Sequence, residues 1–134
     1  MIELVPQILC ASAARYAERP AIVMDQRIIT YAELEAESNQ FARSLISHGI
    51  ARGARVALWL PKSIEAMVAI YGIMKAGAAY VPIDPAAPEA RMGFIAGDCG
   101  VEGLVTLQDR ADAAIKELAG KAPLKAVWYA DVNG

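Results

Sequence analysis

The sequence predicts an α/β fold, with a parallel sheet of βαβ units and helices on both of its faces. From residue 55 onward, short continuous apolar runs alternate with segments of helical periodicity, a pattern typical of strands that are buried on both faces. Apolar residues make up 56% of the chain, above the usual share of about 45–50% in soluble domains. This excess favours a sheet covered on both sides, together with surface that another part of a larger protein covers.

The first 30 residues predict a helix followed by a hairpin. Residues 5–16 place apolar side chains roughly at helical spacing, and Arg19-Pro20 ends the helix because proline lacks a backbone N–H. Two short apolar runs on either side of Asp25-Gln26 then predict a pair of antiparallel strands. The apolar positions of the helix are Ile8, Leu9, Ala11, Ala13 and Tyr16.

A second helix is predicted to follow Thr30 and to end at Gly49. Thr30 and Glu33 have the spacing of a capping box, in which each side chain accepts a hydrogen bond from the other residue's backbone N–H. Glycine ends the helix because it adopts the left-handed conformation at the lowest cost. We expect one face to carry Leu34, Phe41, Ala42 and Leu45, and the other to carry mainly Glu35, Glu37, Gln40 and Arg43.

The remaining residues predict four strands separated by three helices. Ser63 is expected to cap the first of these helices, and Pro88 to begin the second, where its missing N–H costs nothing. We expect residues 1–134 to form a single incomplete domain, with a helix–hairpin–helix lead-in at 1–54 and a βαβ repeat region at 55–134. The predicted strands are 56–60, 79–83, 103–107 and 126–130, and the helices are 64–75, 88–96 and 109–118.

The charge distribution argues against two classes of partner. The net charge is −2, from 13 Lys and Arg against 15 Asp and Glu spread evenly along the chain, so no basic stripe is available for nucleic acid or an anionic membrane. The N-terminus lacks the basic start of a signal peptide. Residues 66–83 carry one charge, on Lys75, and predict a buried helix and strand rather than a membrane span. We therefore expect a cytoplasmic protein.

No glycine-rich motif predicts a phosphate site. Gly120-Lys121 resembles the end of a phosphate loop, but alanine follows where serine or threonine is required, and we expect a solvated helix end. Gly93, Gly97 and Gly100 do not have the spacing of the dinucleotide-binding fingerprint. Helix packing and C-capping explain these three glycines better.

Single residues give no stronger candidate. His48 precedes the helix-ending Gly49, where a partly charged imidazole suits the helix dipole better than it suits catalysis. Asp84 follows a strand at the edge where open α/β sheets bind ligands, but its neighbouring prolines predict that it closes its own turn. Two tyrosines are expected to be packing residues and two cysteines to be free, partly buried thiols outside any metal spacing: Tyr31 and Tyr80, and Cys10 and Cys99.

Two stretches carry a family resemblance. Thr30–Leu34 resembles "TYxEL", and Met74–Pro85 resembles "LKAGxAYVPLDP", with Met74 and Ile83 in place of leucine. These are the first and second core motifs of the AMP-forming adenylating enzymes, which include acyl-CoA synthetases, luciferases and the adenylation domains of nonribosomal peptide synthetases. The resemblance covers about residues 5–106, and the second motif is the specific one. Its wording is closer to amino-acid adenylation domains than to acyl-CoA synthetases.

The resemblance implies a parent ligase that activates a carboxylic acid with ATP and Mg²⁺, forming an acyl-adenylate, and then passes the acyl group to a thiol of CoA or of a carrier-protein phosphopantetheine. The family's phosphate loop and catalytic lysine lie beyond the second motif, and nothing after Asp84 resembles them. The two motifs present are largely structural in the family. We therefore assign no catalytic, cofactor-binding or metal-binding residue, and we expect this chain alone to be inactive.

The partner expected under this hypothesis is the remainder of the parent ligase. The apolar character of residues 64–75 on all sides also predicts self-association through exposed apolar surface. Two alternatives stay open from the residues alone. The chain could be a stand-alone α/β binding module of receiver or flavodoxin type, or a partner protein that completes an enzyme in trans, in both cases without catalysis of its own.

Overall fold

A computed structural model describes residues 5–24 and 26–131. The predicted α/β class is confirmed, with a two-stranded antiparallel hairpin leading into a four-stranded parallel sheet. The helices are α1 (Val5–Arg15), α2 (Tyr31–Ser47), α3 (Ile64–Lys75), α4 (Glu89–Cys99) and α5 (Ala111–Leu118); the strands are β1 (Pro20–Met24), β2 (Arg27–Thr30), β3 (Arg55–Trp59), β4 (Ala79–Ile83), β5 (Gly103–Leu107) and β6 (Ala126–Ala130).

The sheet has the strand order β4-β3-β5-β6, so β3 and β5 are central and β4 and β6 are the edges. Side chains alternate across β3, which therefore contributes to two cores. Val56 and Leu58 pack with residues of α2 and α3 on one face. Ala57 and Trp59 pack with residues of α4 and α5 on the other. This arrangement explains why the strand reads as one continuous apolar run.

The hairpin and α1 form a third cluster on the outer side of α2 and α3. Ile29 of β2 and Leu9 of α1 are buried there against Leu34 and Ile64. Only Leu9 of the apolar positions predicted for α1 is buried, whereas Ile8 is 48% exposed and Tyr16 is 36% exposed. The helix thus packs through a stripe narrower than its apolar pattern, and Cys10 is exposed rather than partly buried. Cys99 is half-buried, and both thiols are free.

The predicted capping box at the start of α2 is confirmed. The Glu33 backbone N–H donates to Thr30 Oγ1 at 3.1 Å, and the Thr30 backbone N–H donates to Glu33 Oε1 at 3.0 Å. At the other end, Gly49 has a φ of 88°, the left-handed conformation that was expected of it. Ser63 caps α3 as predicted, because its hydroxyl accepts from the Ala66 N–H at 3.1 Å.

This capping box predicts a stability change in the acid range. The hydrogen bonds from Thr30, first from its backbone, lower the pKa of Glu33 from the ordinary 4.5. A depressed carboxyl pKa contributes stability above the unfolded-state value, and that contribution is lost as the pH falls through the folded-state value. Glu33→Gln keeps an acceptor but does not titrate. The difference in unfolding free energy between the wild type and this variant should be constant near neutral pH and shrink below pH about 4.5. Urea titrations at several pH values test this.

Two helix boundaries differ from the predictions. Pro88 is the N-cap residue of α4 rather than its first helical residue, and the helix continues to Cys99 instead of ending at residue 96. It ends there because Gly100, with a φ of 63°, provides the left-handed C-cap. Before α5, residues 108–110 form a 3₁₀ turn, so the α-helix proper begins at Ala111 rather than at Asp109.

Helix α3 is apolar nearly all round, as predicted, but it does not expose that surface. None of its residues is exposed, because α1, α2 and β4 enclose it. The surplus apolar surface that was expected on α3 is therefore covered within the chain. No helix among residues 5–24 and 26–131 is long and apolar enough to cross a membrane.

The closest approach of α2 and α3 occurs at Gly72. A Cβ added there would lie 2.7 Å from Phe41 Cδ2 and 3.1 Å from the Ser38 carbonyl oxygen. We expect Gly72→Ala to lower the free energy of unfolding by about 1–3 kcal/mol, because a backbone carbonyl cannot move aside. Gly93→Ala is the matched control. Its Cβ meets only the flexible Glu117 side chain, and alanine improves helix propensity by up to about 1 kcal/mol. Equal losses in urea denaturation would contradict this account of the contact.

Candidate functional site

The side chain of Lys75 joins the two motifs that carry the family resemblance. It lies at the end of α3 and is 10% exposed. Its Nζ donates at 2.8 Å to each of three side chains of α2, Glu35 Oε1, Ser38 Oγ and Asn39 Oδ1. The ammonium group therefore has three partners in a nearly dry site, which is the condition under which a buried charge is tolerated.

This polar cluster corrects one prediction from the sequence. Glu35 was placed mainly with the solvent-facing side chains of α2, but its side chain is only 20% exposed and faces Lys75. Ser38 is fully buried beside it. The available signal was the lone charge within an otherwise apolar segment, since a buried lysine needs an acceptor. The sequence did not reveal which acceptor, because the partners lie 36 to 40 positions away along the chain.

A second cluster lies at the carboxyl ends of β3, β4 and β5, the edge where open α/β sheets bind ligands. Asp84 is exposed there, and its Oδ1 accepts from the Ala86 N–H at 2.8 Å. Its predicted role as a turn-closing side chain is confirmed. The loop that follows, residues 84–88, leads directly into α4.

Trp59 and Arg110 hold that loop against the sheet. Trp59 is 2% exposed, and its Nε1 donates to the Ala87 carbonyl oxygen at 3.2 Å. Arg110 donates to the Pro85 carbonyl oxygen at 2.7 Å, with its guanidinium carbon 4.6 Å from the centre of the Trp59 ring. The polar groups at this edge are thus engaged by the chain itself.

The other candidates occupy structural positions. The His48 Nδ1 lies 2.8 Å from the Ser44 carbonyl oxygen near the end of α2, and its ring meets Trp128 edge-on at 5.6 Å. Lys121 forms an exposed ion pair with Glu117 at 2.6 Å. The residues flanking Gly120 are exposed, as expected for a solvated helix end.

The three glycines of the GxxxGxxG pattern serve helix packing and capping, as predicted. A Cβ at Gly93 would meet the Glu117 side chain, and one at Gly97 would lie 3.1 Å from the Lys121 carbonyl oxygen. Tyr31 packs in the third cluster. Tyr80 differs from its prediction, because it lies on the edge strand β4 and is 40% exposed. Among residues 5–24 and 26–131, no three His, Cys, Asp or Glu side chains are grouped as metal ligands.

An apolar groove of about 220 Å³ opens between α2, α3 and the edge strand β6. Its mouth is acidic. Glu65 pairs through one oxygen with Arg27, while its buried Oε2 receives no hydrogen bond from the described residues. The sequence did not predict this groove, because its walls come from five separate elements. It is lined by Arg27, Glu37, Phe41, Ile64, Glu65, Val68, Ala69, Val105, Trp128, Tyr129 and Ala130.

Comparison with known proteins gives a consistent result. Residues 9–133 match the family model described as AMP-binding enzyme. One of the linear gramicidin synthase proteins from Brevibacillus parabrevis is 43% identical over 102 residues, which are 76% of this chain and 2% of that protein.

Two solved structures superpose on the chain. The N-terminal subdomain of Klebsiella oxytoca NpsA, in complex with anthranilyl-AMSN, has a TM-score of 0.74 and 30% identity, covering 79% of this chain and 28% of that one. A fatty acyl CoA synthetase from Mycobacterium tuberculosis has a TM-score of 0.81 and 29% identity, covering 93% of this chain and 26% of that one. The chain thus spans only a small share of the proteins that it matches.

Proposed function

Because this chain belongs to the family of AMP-binding enzymes, the adenylating ligases, we propose that it is the N-terminal portion of one such ligase. The parent enzyme activates a carboxylic acid with ATP, forms an acyl-adenylate and pyrophosphate, and passes the acyl group to a thiol of CoA or of a carrier-protein phosphopantetheine. In this proposal residues 1–134 are a single incomplete domain, with residues 1–54 as its lead-in and residues 55–134 as its βαβ region.

The observation that carries the proposal is the family match, which runs over nearly the whole chain. The second motif, Met74–Pro85, supports an amino acid as the carboxylic acid, since its wording resembles amino-acid adenylation domains. The 43% identity to the linear gramicidin synthase protein supports the same class. A cytoplasmic location fits an enzyme that consumes ATP.

The residues described here do not fit a Mg-ATP site. Charged groups placed to receive a nucleotide are already engaged: Asp84 by its own turn, Arg110 by Pro85 and Lys121 by Glu117. Adenylyl transfer requires cations and backbone donors positioned around the α-phosphate. We therefore place the catalytic groups in the part of the parent ligase outside this chain, and we expect this chain to serve as scaffold.

A chimaera tests the proposal. The region of the linear gramicidin synthase protein that matches this chain is replaced by the aligned residues of this chain, and amino-acid-dependent ATP–pyrophosphate exchange is measured. We expect exchange within about tenfold of the unmodified synthase, because a scaffold swap leaves the positioned charges in place. The synthase with the region deleted is the negative control. A folded chimaera that shows no more exchange than the deleted form would refute the proposal.

A further inference from the structure

The two edges of the parallel sheet differ in their capacity to accept another strand. Edge strand β4 contains Pro82, which has no backbone N–H, and proline is confined to the edges of sheets. Edge strand β6 reads Ala-Val-Trp-Tyr-Ala, without a proline or a charged residue. Natural proteins protect an exposed edge with proline, charge or a covering segment. Within the described residues, no strand pairs with the outer side of β6.

The apolar groove adjoins this unprotected edge. Three residues of β6 line it, and Phe41, Val68 and Val105 extend the apolar wall onto α2, α3 and β5. At the mouth, Glu37 and Glu65 outnumber Arg27, and one carboxylate oxygen of Glu65 is buried without a donor from the described residues. An unsatisfied buried carboxylate oxygen is costly, so a donor on the occupant of the groove would be strongly favoured.

We propose that β6 and this groove form one docking surface for an extended strand from the part of the parent ligase outside this chain. The strand adds to the free edge of β6, places an apolar side chain in the groove and presents a cationic hydrogen-bond donor to Glu65. The inference rests on the proposed function, because it takes the remainder of the ligase as the partner.

Length and charge favour this occupant over a second copy of the chain. The chain covers 26% of the fatty acyl CoA synthetase on which it superposes, so about three quarters of such a ligase lies elsewhere. A second copy presents the same acidic mouth, in which Arg27 is already paired with Glu65. Like charges brought together in this way oppose association.

Hydrogen exchange tests the proposal on the free 134-residue chain and on the chimaera. We expect alternate amides of β6 to exchange at least about tenfold more slowly in the chimaera, because a new strand protects them, while those of β4 change little. Equal exchange of β6 in both proteins would overturn the proposal, as would a dimer of the free chain that already protects β6. A chimaera without ATP–pyrophosphate exchange would instead refute the proposed function, so the two failures are distinguishable.

A pair of alanine substitutions provides a second test. Ala130→Glu adds a charge to the groove on β6, and Ala79→Glu adds the same charge to the opposite edge, on β4. In the free chain both variants should unfold at nearly the same urea concentration as the wild type. In the chimaera we expect Ala130→Glu to raise the rate of proteolytic cleavage by at least about tenfold, because it opposes docking, and Ala79→Glu to leave it unchanged. Equal rates for the two variants would overturn the proposal.

Discussion

Replacing Lys75 by methionine is expected to lower the free energy of unfolding of the chain by about 3–5 kcal/mol. Methionine has nearly the same length, so the loss comes from the ammonium group and not from packing. Removing that group leaves the largely buried carboxylate of Glu35 without its cation and Ser38 Oγ without the donor that it accepts from. Uncompensated buried charge is among the few causes of losses this large.

Urea denaturation followed by circular dichroism measures this effect. Lys116→Met on α5 is the matched control, because that lysine is exposed and should change stability by less than about 0.5 kcal/mol. The double variant Lys75→Met with Glu35→Leu removes both charges, and it should recover much of the loss. If the single and double variants were equally unstable, the ion pair would not be the source of the stability that we assign to it.

Replacing Trp59 by alanine should cost about 3–5 kcal/mol, a value typical of large aromatic residues in a core. Trp59 is 2% exposed and packs with residues of α4 and α5. The substitution leaves a cavity, and it also removes the hydrogen bond to the Ala87 carbonyl oxygen and the surface on which Arg110 stacks. The loop at residues 84–88 would lose two of its attachments to the sheet.

Two variants separate packing from loop attachment in this prediction. Trp59→Phe keeps most of the apolar volume and loses the N–H, so its cost should fall below that of the alanine variant. Arg110→Ala removes the hydrogen bond to Pro85 and the stacking, at a cost of about 1–2 kcal/mol. Limited proteolysis should then cut near residues 84–88 in the alanine variants at both positions. An intact loop in Trp59→Ala would contradict the attachment that we describe.

The sequence predicted the strands and the caps because the signals for these features are local. The apolar run of β3 reflects burial on both faces, and the box formed by Thr30 and Glu33 depends on residues three positions apart. The turn at Asp84 was predictable for the same reason. Boundaries were less certain at α4, where Gly100 rather than the end of the apolar pattern ends the helix.

The clusters that join distant segments could not be predicted from the sequence. Periodicity placed Glu35 on the solvent side of α2, and only the packing of α3 against that side shows that the carboxylate is a partner of Lys75. The groove beside β6 likewise depends on how α2, α3 and the sheet are arranged. The family resemblance added what the residues alone did not, since neither motif supplies a side chain of evident chemical use.

The central claim is that this chain is the scaffold portion of an adenylating ligase and holds none of its catalytic groups. Carboxylate-dependent ATP–pyrophosphate exchange by the purified 134-residue chain alone, with pooled amino acids and acyl acids, tests it most directly. The account predicts no exchange above the background without enzyme, because no cation near the sheet's carboxyl edge, among the residues that the structure describes, is available for a phosphate. Exchange that requires both the chain and a carboxylic acid would show that a nucleotide site lies within these residues, and it would contradict the account.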